Sequence, residues 1–124
     1  MPIEGVTVEG FPTFGPYSIC NKVGNTVYVS GQVAAKDGKP AGSVTEQAEI
    51  AITNLGKILE TAGSSLDKVI KTTVFLTNMD DFASVNEVYA KHFKGTPRPA
   101  RSCVAVAKLP LGVSFEIECI ALAE

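Results

Sequence analysis

The sequence predicts an α+β fold, a mixed sheet with two helices packed on one face. Three observations lead to it. Residues 43–63 carry apolar side chains at helical spacing between clear start and stop signals. A second helical stretch, from about residue 80 to 95, lies between β-branched runs, so strands and helices alternate along the chain. The chain has 124 residues, which suits one domain over 1–124 and is too short to cover both faces of a sheet with its own helices. The bare face then calls for a partner subunit.

The first fifteen residues are rich in Gly and Pro and show little periodicity. Gly15-Pro16 punctuates them, and a strand is expected from Tyr17. Thr26–Ser30 is a β-branched and aromatic run after the Gly24-Asn25 turn, and reads as a strand. Gly31 interrupts it, the mark of a bulge or of a close backbone approach. Lys36-Asp37-Gly38-Lys39-Pro40 is a turn cluster. Ser43-Val-Thr-Glu46 fits a capping box. Ala48, Ile52, Leu55, Leu59 and Ala62 then line one helical face, widened by Ala51 and Ile58, and Gly63 stands where a C′ glycine belongs.

Val69–Thr77 reads as a strand with Ile70, Thr72, Val74 and Leu76 on one face. Asn78 or Asp80 can cap a helix carrying Phe82, Val85, Tyr89 and Phe93 on one side and ending at Gly95. Thr96-Pro-Arg-Pro99 is an extended linker, because proline disfavours helix at the residue before it. Two strands close the chain, Arg101–Ala107 and Val113–Ala123, with a turn at Leu109–Gly112.

Composition removes several functions. Apolar residues make up 45% of the chain, enough for a core, and self-association would bury more. Eleven basic and 13 acidic residues give a net charge of −2 with no basic stripe, so nucleic acid is not expected as a partner. Cys20, Cys103 and Cys119 form no CxxC pair, His92 is the single histidine, and carboxylates do not cluster at ligand spacing. No metal site and no disulfide framework is expected. No apolar run reaches the length of a bilayer span, and the N-terminal residues lack a signal-like or Arg-rich leader. A cytoplasmic protein, without organelle import or membrane contact, is the resulting expectation.

The candidate site begins with Arg101, which opens a strand directly after a proline-stiffened linker. Alternation puts it on one face with Cys103, Ala105 and Ala107. A guanidinium on an apolar strand needs an anionic partner. That partner is either a bound carboxylate, matched by the guanidinium fork, or a structural ion pair with Glu116 or Glu118. Glu116 and Glu118 share a face of the last strand. They serve either as a general acid/base site, with a pKa raised by partial burial, or as a solvated edge. Cys103 reads as a wall residue, since no base lies near it in sequence. Cys20 and Cys119 read as packing, and His92 as a surface or a satisfied residue rather than a base. Tyr17 either closes a pocket or is an ordinary half-buried tyrosine. Ser30-Gly31 offers backbone groups to a small ligand. No Gly-rich phosphate loop is present, so no nucleotide cofactor is expected.

Taken together, Gly15-Pro16-Tyr17-Ser18, Val29-Ser30-Gly31-Gln32, Val69–Phe75, Phe82–Tyr89, Pro99-Ala-Arg-Ser-Cys-Val-Ala-Val106, Leu109-Pro110 and Glu116–Ala121 stand in one family's order and spacing. The chain resembles the RidA (YjgF) family, reactive intermediate deaminase A, over nearly its whole length. The resemblance implies a chorismate-mutase-like α+β fold and a homotrimer with ligand clefts between subunits. It implies hydrolysis of 2-iminobutanoate, 2-iminopropanoate and their enamine tautomers to 2-oxo acids and ammonia, with no cofactor. Carried over residue by residue, Arg101 matches the carboxylate-binding arginine and Glu116 the glutamate that activates water. Tyr17 matches the cleft tyrosine, Ser30 and Gly31 the ligand loop, and Cys103 and Asn86 further cleft positions. Ile19-Cys20 departs from the Gln-Ala frequent in the family. A non-catalytic ligand-binding or regulatory member of the same fold is the alternative, and a ribonuclease a third.

Overall fold

The computed structural model describes residues 1–123. Ten elements follow one another: β1 (Glu4–Val6), β2 (Cys20–Val23), β3 (Thr26–Gln32), β4 (Ala35–Lys36), β5 (Lys39–Pro40), α1 (Val44–Thr61), β6 (Val69–Leu76), α2 (Phe82–His92), β7 (Ala100–Ala105) and β8 (Phe115–Leu122). Six strands form one sheet in the order β1-β2-β3-β8-β6-β7, and β4 pairs with β5 in a separate hairpin. Only β6 and β7 run parallel, joined by the crossover through α2. The other neighbours are antiparallel, so the sheet is mixed as expected.

α1 forms for the reasons the sequence offers. The Ser43 side chain accepts from Glu46 N while Glu46 accepts from Ser43 N, closing the capping box. At the other end Gly63 takes φ 84°, a conformation that costs glycine nothing. Its N–H donates to Glu60 O at 3.1 Å, and Ser64 N donates to Leu59 O at 2.8 Å, the two bonds of a Schellman cap. Ala48, Ala51, Ile52, Leu55, Ile58 and Leu59 are all fully buried. Each large one contributes about 1.5–3 kcal/mol through burial.

These helical residues pack on the side of the sheet carrying Val27, Val29, Val74, Leu76, Phe115, Ile117, Cys119 and Ala121, all buried. The opposite side presents Tyr28, Phe75, Val104, Ile120 and Leu122, with Tyr28, Val104 and Leu122 exposed. Lys71, Thr73, Ser102, Glu116 and Glu118 share that side, so strand alternation leaves a face of mixed apolar and polar residues bare within one chain. Buried Gln47 near the start of α1 accepts from Ser114 N at 2.7 Å and donates to Gly42 O at 3.0 Å. This pins the entry to β8 two residues before Glu116.

Four local expectations change. Tyr17 opens no strand: it lies in a bend, and β2 starts at Cys20. Glu4–Val6 is a strand despite its lack of periodicity, because pairing with β2 supplies what three residues cannot signal alone. Ile70 sits at a register shift between Val69 and Lys71, which turns it outward to 46% exposure and puts Val69 on the buried side. Neither Asn78 nor Asp80 caps α2. Asn78 instead caps a short 3₁₀ turn at Met79–Asp81, accepting from Asp80 N at 2.9 Å, and α2 starts at Phe82 behind it.

Candidate functional site

Arg101 stands near the start of β7, the edge strand. It pairs in register with Thr72, as Cys103 does with Val74. Thr72 and Val74 are fully buried beneath the helices, so Arg101 and Cys103 lie on the helix side of the sheet. The guanidinium reaches α2. Nη1 donates to Asn86 Oδ1 at 2.8 Å. Its carbon lies 4.7 Å from the ring centre of Tyr89 and 5.5 Å from that of Phe82. Positions 82, 86 and 89 are spaced by four and three, so one stripe of α2 builds the whole cradle. The Tyr89 hydroxyl in turn shares a buried hydrogen bond of 2.7 Å with Thr72 Oγ1.

Every group holding Arg101 is neutral. Among the described residues no carboxylate pairs with it; the one ion pair joins His92 of α2 to Glu49 of α1. The proposed structural ion pair with Glu116 or Glu118 does not form, because those residues are on the other face of the sheet. Cys103 is half-buried, and burial pushes its thiol up while the Arg101 charge opposes that shift. The thiol is therefore no ready nucleophile, consistent with a wall residue. Cys20 and Cys119 are buried core thiols, and burial lifts that of Cys119 to about 12.

Glu116 pairs in register with Phe75 and points to the bare face. There it packs over Gly31, where a Cβ would run into the Glu116 carboxylate. The β3–β8 register slips between Val29 and Gln32, so Ser30-Gly31 is both the bulge and the close approach that the glycine signalled. Burial pushes the Glu116 carboxyl above the usual range, and the charge of Glu118 adds to that rise. Ser30 N donates to Ile19 O at 2.9 Å, and Ser30 Oγ to Ser18 O at 2.6 Å. These bonds fasten the segment carrying Tyr17 to the bulge. Tyr17 itself is 47% exposed, its hydroxyl accepting from Phe14 N at 3.3 Å.

The residues singled out in the sequence thus fall into two groups. Arg101, Asn86 and Cys103 come together at the helix-side edge. Glu116, Gly31 and Ser30 come together on the bare face, with Tyr17 tied in through Ser18. One sheet separates the groups. Two surface hollows, of about 610 Å³ beside the β4–β5 turn and about 390 Å³ where the C-terminal parts of α1 and α2 meet, include neither Arg101 nor Glu116. Sequence reasoning missed Thr72, Phe82 and Tyr89 as partners of Arg101. The available signal was the 82–86–89 stripe on a crossover helix that must pass over the strand that follows it.

The family model described as Endoribonuclease L-PSP matches residues 8–123. The chain belongs to that family, RidA (YjgF). Among its RidA-family relatives, "Protein MMF1, mitochondrial" of Saccharomyces cerevisiae is 50% identical over 90% of this chain and 77% of its own length. "Protein mmf2, mitochondrial" of Schizosaccharomyces pombe is 49% identical over 86% and 87%. The mouse "2-iminobutanoate/2-iminopropanoate deaminase" is 44% identical over 94% and 87%. Among solved structures, yeast Mmf1 superposes with a TM-score of 0.90 at 45% identity, covering 99% of this chain and 100% of that one. Escherichia coli TdcF with bound serine gives 0.89 at 38%, covering 98% and 99%.

These names correct the expectation of a cytoplasmic protein: relatives at about half identity are mitochondrial, which points to an organelle. The error has a physical source. Free cysteines separate oxidising from reducing compartments but not one reducing compartment from another, and an import leader is not part of the folded domain. Among the described residues, no helix is long and apolar enough to cross a membrane.

Proposed function

We propose that this RidA-family protein is an imine/enamine deaminase. It hydrolyses 2-iminobutanoate, 2-iminopropanoate and related 2-aminoacrylate-derived intermediates to 2-oxo acids and ammonia. The observation that carries the reading is Arg101, a fixed guanidinium whose partners are all neutral and whose charge stays free for a small anion. The name of the mouse relative supports the substrate class.

The substrate carboxylate takes the guanidinium fork. Water adds to the C=N carbon of the protonated imine while Glu116 accepts its proton, and the C=N electron pair passes to nitrogen, which leaves a neutral tetrahedral adduct. Glu116 returns that proton to the nitrogen, the C–N bond breaks with ammonia leaving, and the adduct's hydroxyl releases its proton to water as the C=O bond forms. A carboxyl raised by burial is better matched to this double duty than an ordinary one. Tyr17, Ser30, Gly31, Asn86 and Cys103 line the cleft. Arg101 and Glu116 occupy opposite sheet faces, so the cleft forms between copies in a homotrimer whose contacts cover the apolar part of the bare sheet face.

A coupled assay tests this. Threonine dehydratase generates 2-iminobutanoate in the presence of semicarbazide, which converts the free imine to 2-oxobutanoate semicarbazone, and the initial rate of semicarbazone formation is compared with and without the protein. The wild-type chain diverts the imine from the trap, and Arg101→Ala does not. Equal diversion by the two proteins rejects the role of Arg101. A second reading, a sensor that binds without turnover, is favoured by the relative solved with bound serine; saturable amino-acid binding with no diversion of imine would select it.

A further inference from the structure

We infer that Tyr89 is a positioning residue for Arg101 and that Thr72 holds Tyr89 in place, so that β6 sets the aim of the guanidinium through α2. The inference rests on the anion-site reading of Arg101. Three contacts close a ring. Arg101 and Thr72 are register neighbours on adjacent parallel strands. The Thr72 hydroxyl shares a 2.7 Å hydrogen bond with the Tyr89 hydroxyl. The Tyr89 ring lies 4.7 Å from the guanidinium carbon.

The chemistry of the ring explains its parts. A ring face attracts a guanidinium without neutralising it, so the charge remains available to an anion. A tyrosine ring swings between rotamers about its first torsion unless its far end is held. Its neighbour Phe93 packs against one side, with ring centres 4.4 Å apart. Its hydroxyl end is stopped by Thr72, a residue with 0% exposure in an otherwise apolar layer. A threonine buried there satisfies no other hydrogen-bonding partner among the described side chains than Tyr89. Valine would fill the same space at less cost in polar burial. Burial raises the Tyr89 hydroxyl pKa, so it remains a neutral donor or acceptor rather than a charge competing for Arg101.

The test uses the intact protein, with 2-oxobutanoate as the probe anion and four variants. Tyr89→Phe keeps the ring and removes the hydroxyl. Tyr89→Leu removes the ring. Thr72→Val removes the hydroxyl, and Thr72→Ser restores it. Binding is read by calorimetry, with KM and kcat from the imine assay and melting curves as a folding control. Tyr89→Leu should weaken binding about tenfold, and Tyr89→Phe and Thr72→Val about threefold, with KM rising more than kcat falls. Thr72→Ser should recover to within about twofold of wild type. Folded variants that bind as wild type does, or a Thr72→Ser variant as weak as Thr72→Val, overturn the inference. If the wild-type protein itself fails to bind 2-oxobutanoate, the anion-site reading has failed separately. The Nε–Hε resonance of Arg101 then decides: broadening in Thr72→Val and Tyr89→Phe supports positioning, and an unchanged resonance overturns it.

Discussion

The two sides of this sheet treat charge in opposite ways. At the helix-side edge, Arg101 is surrounded by an amide and two aromatic faces, and among the described residues no carboxylate pairs with it. On the bare side, Glu116 is half-buried over a glycine, with a second glutamate near it, and its carboxyl is pushed towards the neutral form. Neither arrangement maximises stability. A structural arginine would have gained a carboxylate partner, and a structural β8 would have an apolar residue at 116. A cation kept free and a carboxyl made easier to protonate are what anion binding and proton transfer require. If Arg101 and Glu116 act on one substrate as proposed, the sheet between them means that a single chain cannot bring both to it.

The largest break of this contrast should come from Asn86→Asp. The new carboxylate sits where Oδ1 already accepts from Arg101 and neutralises it. Affinity for 2-oxobutanoate should fall about ten- to hundredfold, while the melting temperature holds, since a charge-assisted pair replaces a neutral bond. Calorimetry and a melting curve on the same sample check both halves. Unchanged anion affinity would mean that the free charge on Arg101 does not matter.

Gly31→Ala acts on the other side. Its Cβ displaces the Glu116 carboxylate. We expect kcat to drop about tenfold with the Kd for 2-oxobutanoate nearly unchanged, because a misplaced general base loses part of the gain it supplies. A rise in Kd with an intact kcat would instead place Gly31 in binding alone.

The smallest effect is a shift. Glu118 raises the pKa of Glu116, so Glu118→Gln should lower it. Glu116 must be ionised to accept a proton, so the acid limb of the kcat profile should move to lower pH. Stability follows the same sign. A carboxyl raised in the folded state costs stability once pH climbs past its unfolded value, and fully so above its folded value. Glu116→Gln should therefore melt higher than wild type at neutral pH, an advantage that vanishes in acid where Glu116 is protonated. An acid limb that stays put in Glu118→Gln would assign it to another group.

What the sequence revealed follows the range of the forces involved. The capping box at Ser43–Glu46, the buried stripe of α1 and the cap at Gly63 depend on neighbours within five residues, and all were readable. Gly31 was readable as a bulge because a lone glycine in a β-branched run has few other uses. The carboxylate it makes room for was not, since Glu116 lies far along the chain. Alternation placed Arg101 with Cys103 and Glu116 with Glu118 on shared faces. Which face of β7 matches which face of β8 depends on the β6 register, bulge included, and no local pattern encodes that. The stripe at Phe82 and Tyr89 looked like core because apolar residues on a helix usually are. Here part of it turns to a cation: Phe82 is 39% exposed, whereas Val85 one turn on and Phe93 just past the end of the helix are buried.

The separation of Arg101 from Glu116 is tested most directly by mixing two inactive proteins. Arg101→Ala and Glu116→Gln chains are unfolded together, refolded as mixed assemblies and assayed for imine diversion. If each cleft takes its arginine from one copy and its glutamate from the next, a random equal mixture has both residues intact in about one cleft in four and recovers about a quarter of wild-type activity. If a single chain supplied both residues, every cleft would lack one of them. The mixture would then stay as inactive as its parents, and the account of a site split across the sheet would be wrong.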